Sequence, residues 1–284
     1  MKVLFLLGGF LFLPGFICAQ QQADTNRVHG VTIDAVNNLN AITYSLKRLS
    51  KKPTARIVFD EWIPASKYLS PCKKIHKVSF IMGELLDSRY FSNYTAEQYR
   101  ARVKEYLKTL GNRVDIWEIG NEINGEWLGN TSDVVHKITD AYYLVKSWNR
   151  KAALTLYYNY ECWDNPENEM FRWVINNVPA DMKQGLDYVL VSYYEDDCND
   201  HQPNWQKVFD SLHVIFPNSK LGIGECGTIY QWKKEEYINR YYGMSITTPN
   251  YVGGYFWWYY KQDCVPYKKY LWNVLNKAIG LKND

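Results

Sequence analysis

Residues 114–122 read Val114-Asp115-Ile116-Trp117-Glu118-Ile119-Gly120-Asn121-Glu122, a mostly apolar run of strand length that ends on a polar pair. Such a run, rich in β-branched and aromatic side chains, suits a strand covered on both faces. Working outward in both directions, the pattern repeats. Strands are expected at Val28 to Asp34, Ala55 to Trp62, Val78 to Leu85, Val114 to Glu122, Ala153 to Tyr160, Leu186 to Tyr194, Leu221 to Glu225 and Val252 to Tyr259. Amphipathic helical patterns lie between them. Thr95 to Leu110 opens with Thr95 and Gln98 spaced as a capping box, Asp133 to Trp148 follows, and a last helix from Lys268 to Ala278 is expected to stop before Gly280. Eight strand-then-helix units in about 250 residues match the arithmetic of a closed (β/α)8 barrel. An open doubly wound sheet is the competitor, since periodicity alone does not decide closure. With no residues left over for a second domain, the expected fold is α/β, a single (β/α)8 TIM barrel whose chemistry sits at the C-terminal ends of the strands.

The chain has 284 residues, 46% hydrophobic and 22% charged, a composition that excludes a disordered or low-complexity protein. The 33 Lys and Arg against 30 Asp and Glu give +3 without long runs of one sign, so nucleic acid is not an expected partner. Lys2, the apolar stretch Val3 to Ile17 and Cys18-Ala19 have the layout of a secretory signal peptide, which assigns residues 1–19 to a leader and 20–284 to the barrel. A lipid anchor at Cys18 is the lesser alternative, because Ile17 is bulky where a small residue is usual. No later run is long enough to span a membrane. A secreted or periplasmic protein meets an oxidising compartment, and Cys162 with Cys198 and Cys226 with Cys264 fall on neighbouring loops where bridges are expected. Cys72 remains over.

The strand ends carry Asp34, Asp60, Glu61, Trp62, Glu84, Asn121, Glu122, Tyr160, Tyr194, Glu225, Trp257 and Trp258, with Trp127 and Trp163 on the loops beyond. Carboxylates and flat aromatic faces suit sugars: the first transfer protons and attack an anomeric carbon, the second cover the apolar face of a pyranose. Asp34, Asp60, Glu61 and Glu84 are candidates for sugar hydroxyls or for capping. Other signals fail. Residues 222–227 spell Gly-x-Gly-x-x-Gly, but Glu225 sits where a pyrophosphate would approach, so the glycines are read as room for close backbone contacts. The five histidines have no metal-ligand spacing, with only His201 near the expected cleft, and no Gly-x-Ser-x-Gly elbow exists. No metal and no cofactor are expected.

The sharpest pair is Glu122, closing the fourth strand behind Asn121, and Glu225, closing the seventh in Leu221-Gly222-Ile223-Gly224-Glu225. In this the chain resembles the clan A retaining glycoside hydrolases, which share the (β/α)8 fold, over essentially all of residues 20–284. The resemblance implies Glu122 as acid/base, Glu225 as nucleophile, Asn121 on the sugar 2-hydroxyl, Tyr194 against the nucleophile, and Trp257 or Trp258 beneath the sugar. Glu61, Trp62 and Trp127 are added as substrate-binding candidates. The substrate class is a β-linked oligo- or polysaccharide, with mannan, galactan, xylan and glucan all open, and a monomer is expected. Two departures stand out: Arg56 lies early in strand two, too deep for a catalytic assignment, and Glu84 ends strand three where many clan members have His. Glu118 is expected to be structural, in an ion pair with Arg56 or a lysine. A carbohydrate-binding barrel without catalysis, and a transglycosylase using the same intermediate, are the alternatives.

Overall fold

The computed structural model describes residues 27–281, so the expected leader, with Lys2, Cys18 and Ala19, lies outside the described residues. Eight parallel strands, β1 (Val28–Ile33), β2 (Thr54–Val58), β3 (Phe80–Glu84), β4 (Ile116–Glu118), β5 (Lys151–Tyr157), β6 (Tyr188–Tyr193), β7 (Lys220–Cys226) and β8 (Tyr251–Trp257), pair in sequence order. The ring closes where β1 meets β8 through Val28↔Gly253 and Val31↔Trp257. Closure settles the choice against an open sheet and leaves no free edge.

Helices follow each strand: α1 (Leu39–Lys47), α2 (Leu69–Ile75), α3 (Ala96–Leu110), α4 (Thr131–Ser147), α5 (Met170–Asn177) with α6 (Ala180–Gly185), α7 (Trp205–Ile215), α8 (Lys234–Tyr242), and α9 (Tyr260–Cys264) with α10 (Tyr270–Gly280). The last helix runs through Gly280 instead of stopping before it. In α3, Tyr99, Val103, Tyr106, Leu107 and Leu110 recur at helical spacing and are buried against the sheet. Thr95 and Gln98 form the expected capping box, a device in which the cap residue contributes about 1 kcal/mol.

Two apolar layers build the core. The larger lies between sheet and helices, while Met82, Ile116, Ala153, Tyr188, Leu190, Val252 and Phe256 form a separate interior cluster. Above this floor the barrel interior turns polar, with Thr32, Arg56, Glu84, Glu118, Thr155 and Ser192 all buried. The change from hydrocarbon to ionic lining marks the end of the barrel where the site is built.

All strands but β7 end earlier than the apolar runs suggest, β2 and β4 most of all, at Val58 and Glu118. Beyond Glu118 the chain stays hydrogen-bonded to β5 through Ile119 N to Ala153 O and Thr155 N to Gly120 O, then turns at Glu122, whose φ of 51° lies in the left-handed region. That conformation is uncommon for a residue with a side chain and costs on the order of 1–3 kcal/mol.

One expected disulfide exists, Cys162–Cys198, tying the loops after β5 and β6. The other does not: Cys226 and Cys264 are both buried free thiols, and Cys226 Sγ donates to Tyr255 O. Cys226 is the last residue of β7 and packs in the layer behind the sheet, so its thiol is not on a loop.

Candidate active site

At the C-terminal ends of the strands lies a cavity of about 750 Å³, reached by both Glu122 and Glu225. Asn121, Tyr194, Trp258 and Trp127 line it as well. Of the other sequence candidates, Trp257 is fully buried behind the sheet and donates its indole N–H to Asp263 at 3.0 Å. β8 contains Gly253 and Gly254 at positive φ, and its register to β7 slips, so alternation counted along the sequence does not tell which tryptophan faces inward. Glu61 and Trp62 also lie outside the cavity lining: β2 ends at Val58, and a turn carries Trp62 onto Tyr94, where the rings stack at 4.0 Å. Asp34 accepts from Gln262 and Asp60 from Tyr68, both away from the cavity. Tyr160 stacks on His201 at 4.0 Å, and neither belongs to the lining. Trp163 also lies outside it, donating its indole N–H to Tyr160 O.

Backbone geometry explains where Glu225 points. In the β6–β7 pairing Ile223 is opposite Val191 but Glu225 is opposite Ser192, so Gly224 is skipped as a bulge. A Cβ on Gly224 would stand 2.7 Å from Leu190 Cβ, and one on Gly222 would stand 2.3 Å from Gly253 O. Glycine is needed at both for close approach, which is the reading given to the false dinucleotide motif.

Two different hydrogen-bond environments surround the two carboxyls. Glu225 Oε2 accepts from Arg56 Nη1 at 2.8 Å and Oε1 accepts from the Tyr194 hydroxyl at 2.7 Å. Glu122 accepts from neutral hydroxyls only, Ser192 on Oε1 and Ser88 on Oε2, each at 2.7 Å. Burial lifts Glu122 above the usual carboxylate range, against those two serines. It pushes Glu225 up to about 8, with Arg56 and Tyr194 pulling down and Glu122 adding to the rise. The two therefore titrate as a pair that holds one proton between them over a middle range. The hydrogen bonds favour the charge on Glu225, beside the guanidinium, and the proton on Glu122, which has only neutral donors. Burial also holds the Tyr194 phenol well above its usual range, keeping it a donor.

Arg56 is a correction to the sequence reading, which left it out because it lies low in β2. The backbone is low, yet the long side chain rises through the interior: Nε and Nη2 fork onto Glu118 at 2.6 and 3.0 Å while Nη1 reaches Glu225. The expected Arg56–Glu118 pair is thus present, and Thr155 adds a 2.5 Å hydrogen bond to Glu118. Burial opposes the charge on Arg56, but Glu118, Glu84 and Glu225 together outweigh it.

Arg102 and Asn124 shape the site without a signal of their own in the sequence. Arg102 of α3 is buried and donates to Leu85 O, Phe59 O and Asp60 O at 2.7–2.8 Å, fixing the tops of β2 and β3. The Asn124 side-chain amide donates to Tyr157 O and accepts from Tyr157 N, clipping the turn of Glu122 to the end of β5. Ser192 is two residues before Tyr194, and strand alternation could have placed both toward the interior. Asn121 is 2% exposed and its Oδ1 has no hydrogen-bond partner, although it lines the cavity. A buried amide oxygen without a partner is costly unless a ligand or water satisfies it.

No protein-family model and no curated protein sequence matches the chain. In fold it is similar to solved glycoside hydrolases. Gas2 of Saccharomyces cerevisiae, solved with laminaritriose and laminaritetraose, aligns at a TM-score of 0.56 and 14% identity, covering 90% of this chain and 65% of that one. A GH18 chitinase from Pseudoalteromonas aurantia aligns at 0.53 and 12%, covering 89% and 100%, and a beta-glucosidase at 0.52 and 11%, covering 78% and 76%. The chain thus spans about two thirds of the Gas2 chain, and these likenesses establish the (β/α)8 fold. Among the described residues no helix is long and apolar enough to cross a membrane, and the disulfide fits an oxidising compartment.

Proposed function

We propose that this protein is a retaining glycoside hydrolase of the clan A type, acting on a β-linked glycan by double displacement, with Glu122 as acid/base and Glu225 as nucleophile. The observation that carries this reading is the contrast between the two carboxyls of one cavity, one held by a cation and a phenol, the other by two neutral hydroxyls. Each oxygen of Glu225 has one lone pair engaged and a second free for attack. In the first step that carboxylate bonds to the anomeric carbon as the glycosidic C–O bond breaks, and Glu122 gives its proton to the departing oxygen. In the second, Glu122 takes a proton from water, the water oxygen bonds to the anomeric carbon, and Glu225 leaves as a carboxylate.

The other residues support these steps. The unpartnered Asn121 Oδ1 accepts a hydroxyl of the sugar bound at the cleavage point. Trp258, 5.8 Å from the Arg56 guanidinium, is the ring placed to cover that sugar's apolar face. Trp127, 44% exposed and edge-on to Tyr157 at 5.2 Å, forms a second wall of the cleft. Residues 1–19 are proposed as the export leader, which makes the enzyme secreted or periplasmic. Glu225→Ala and Glu122→Gln test the roles on a polysaccharide that the parent cleaves. Both should fall at least about 10³-fold in kcat/KM, whereas an aryl glycoside with a good leaving group, which needs no acid, should spare Glu122→Gln in its first step. Full activity of Glu225→Ala would remove the nucleophile assignment.

A further inference from the structure

Arg56 brings one positive charge to three carboxylates. Glu84, the last residue of β3, is fully buried, and its Oε2 lies 3.2 Å from Arg56 Nη2. Neither of its oxygens has a hydrogen-bond partner. The guanidinium has meanwhile committed Nε and Nη2 to Glu118 on β4 and Nη1 to Glu225 on β7. Around Glu84 stand Arg56 of β2, Glu118 directly opposite in register, Glu225, Asp87 from the loop that follows β3, and the Tyr99 phenol of α3, which donates to Ile119 O. Among the described residues Arg56 is the one cation paired with Glu84, Glu118 or Glu225, and none is paired with Glu122. One positive charge is already shared by two partners, so a third carboxylate in this dry interior would be uncompensated. An unpaired buried charge costs several kcal/mol, and a carboxyl in that position takes up a proton instead.

We propose that Glu84 is a positioning residue that works as a neutral carboxylic acid: while it keeps its proton it leaves the Arg56 charge to Glu225, and when it loses that proton it competes for the guanidinium and disarms the nucleophile. Burial raises Glu84 well above the ordinary carboxylate range, Arg56 pulls the other way, and Glu118, Asp87 and Glu225 add to the rise. The competition needs little motion, because Arg56 Nη2 is already 3.2 Å from Glu84 Oε2. The consequence is an alkaline loss of activity with two causes, Glu122 losing its catalytic proton and Glu84 drawing Arg56 away. The inference rests on the assignment of Glu225 as nucleophile, and Glu84 itself touches no substrate.

Glu84→Gln and Glu84→Met keep the side chain neutral at every pH, the first as an isostere and the second as an apolar replacement should the amide fold poorly. Either variant should hold kcat/KM within about threefold of the parent at its optimum, and should extend activity to higher pH along a limb governed by one ionisation instead of two. Difference infrared spectra, parent minus variant at neutral pH, should show the carbonyl band of one buried protonated carboxyl lost in both variants, over and above the band that Glu122 keeps. A loss beyond about tenfold at all pH values would mean that the charge of Glu84 is required, and would overturn the proposal. So would an alkaline limb that does not move, or a carbonyl region whose intensity the substitutions leave unchanged. The infrared result does not depend on turnover, so a failed nucleophile assignment, seen as activity in Glu225→Ala, is separable from a wrong protonation state of Glu84.

Discussion

Tyr194→Phe removes a single hydroxyl that donates to Glu225 Oε1 at 2.7 Å while leaving the Arg56 contact and the ring in place. A hydrogen bond to a charged acceptor contributes about 1.5–3 kcal/mol. At about 1.4 kcal/mol for each pKa unit, its loss should raise the ionisation of Glu225 by about one to two units. The sign is fixed by the geometry, because a donor on the carboxylate favours the charged form and its removal favours the neutral one. If Glu225 is the nucleophile as proposed, turnover needs it ionised, so the acid limb of kcat/KM should move to higher pH by that amount. Well below the limb the variant should be about 10- to 100-fold slower than the parent, and on the plateau the difference should narrow. The assay is the pH dependence of kcat/KM on an aryl glycoside, which reports groups of the free enzyme. An acid limb that stays in place, or one that moves down, would refute the charge assignment to Glu225.

Other consequences follow from the same structure. Because burial pushes Glu225 from its ordinary 4.5 up to about 8, its stabilising contribution is complete below 4.5 and is lost as pH rises through about 8. Glu225→Gln, which cannot ionise, should therefore melt close to the parent at pH 5 and above it at pH 8, and a lower melting temperature at pH 8 would contradict the burial argument. The Cys162–Cys198 bridge closes a loop with a sequence separation of 36, worth at most about 4 kcal/mol by chain entropy. Unreduced, denatured protein lacking residues 1–19 should titrate three thiols, Cys72, Cys226 and Cys264, and a count of one would restore the second bridge. Trp232, 77% exposed, leans on Tyr230 of the cleft wall at 5.0 Å. Trp232→Ala should raise KM for long chains several-fold and leave a short aryl glycoside unaffected, and equal effects on both would show that the ring binds no distant sugar unit.

The sequence disclosed the architecture because strand and helix alternate with clear punctuation, and because the carboxyls that matter end apolar runs. What it concealed follows from three physical facts. Strand ends were set too late where the chain leaves the sheet early, β2 at Val58 and β4 at Glu118, and this misplaced Glu61 and Trp62 onto the cleft. In β8, where Gly253, Gly254 and Tyr255 all have positive φ and the register to β7 slips, alternation could not choose between Trp257 and Trp258, of which only Trp258 lines the cavity. Arg56 was misjudged because depth was assigned to its backbone, whereas its guanidinium lies several bonds higher. Cys226 shows the same limit from the other side: a residue counted as loop is strand, and its thiol is sealed in the outer layer.

The central claim is a covalent bond between Glu225 and the sugar, and trapping that bond tests it most directly. The 2-deoxy-2-fluoro analogue of a cleaved glycoside, with an activated leaving group, slows the second step and should leave one sugar attached per chain. After digestion, mass spectrometry should find that mass on the peptide containing Glu225, with Glu225→Gln unlabelled. A label on Glu122 or on any other residue, or full turnover with no label at all, would contradict the account.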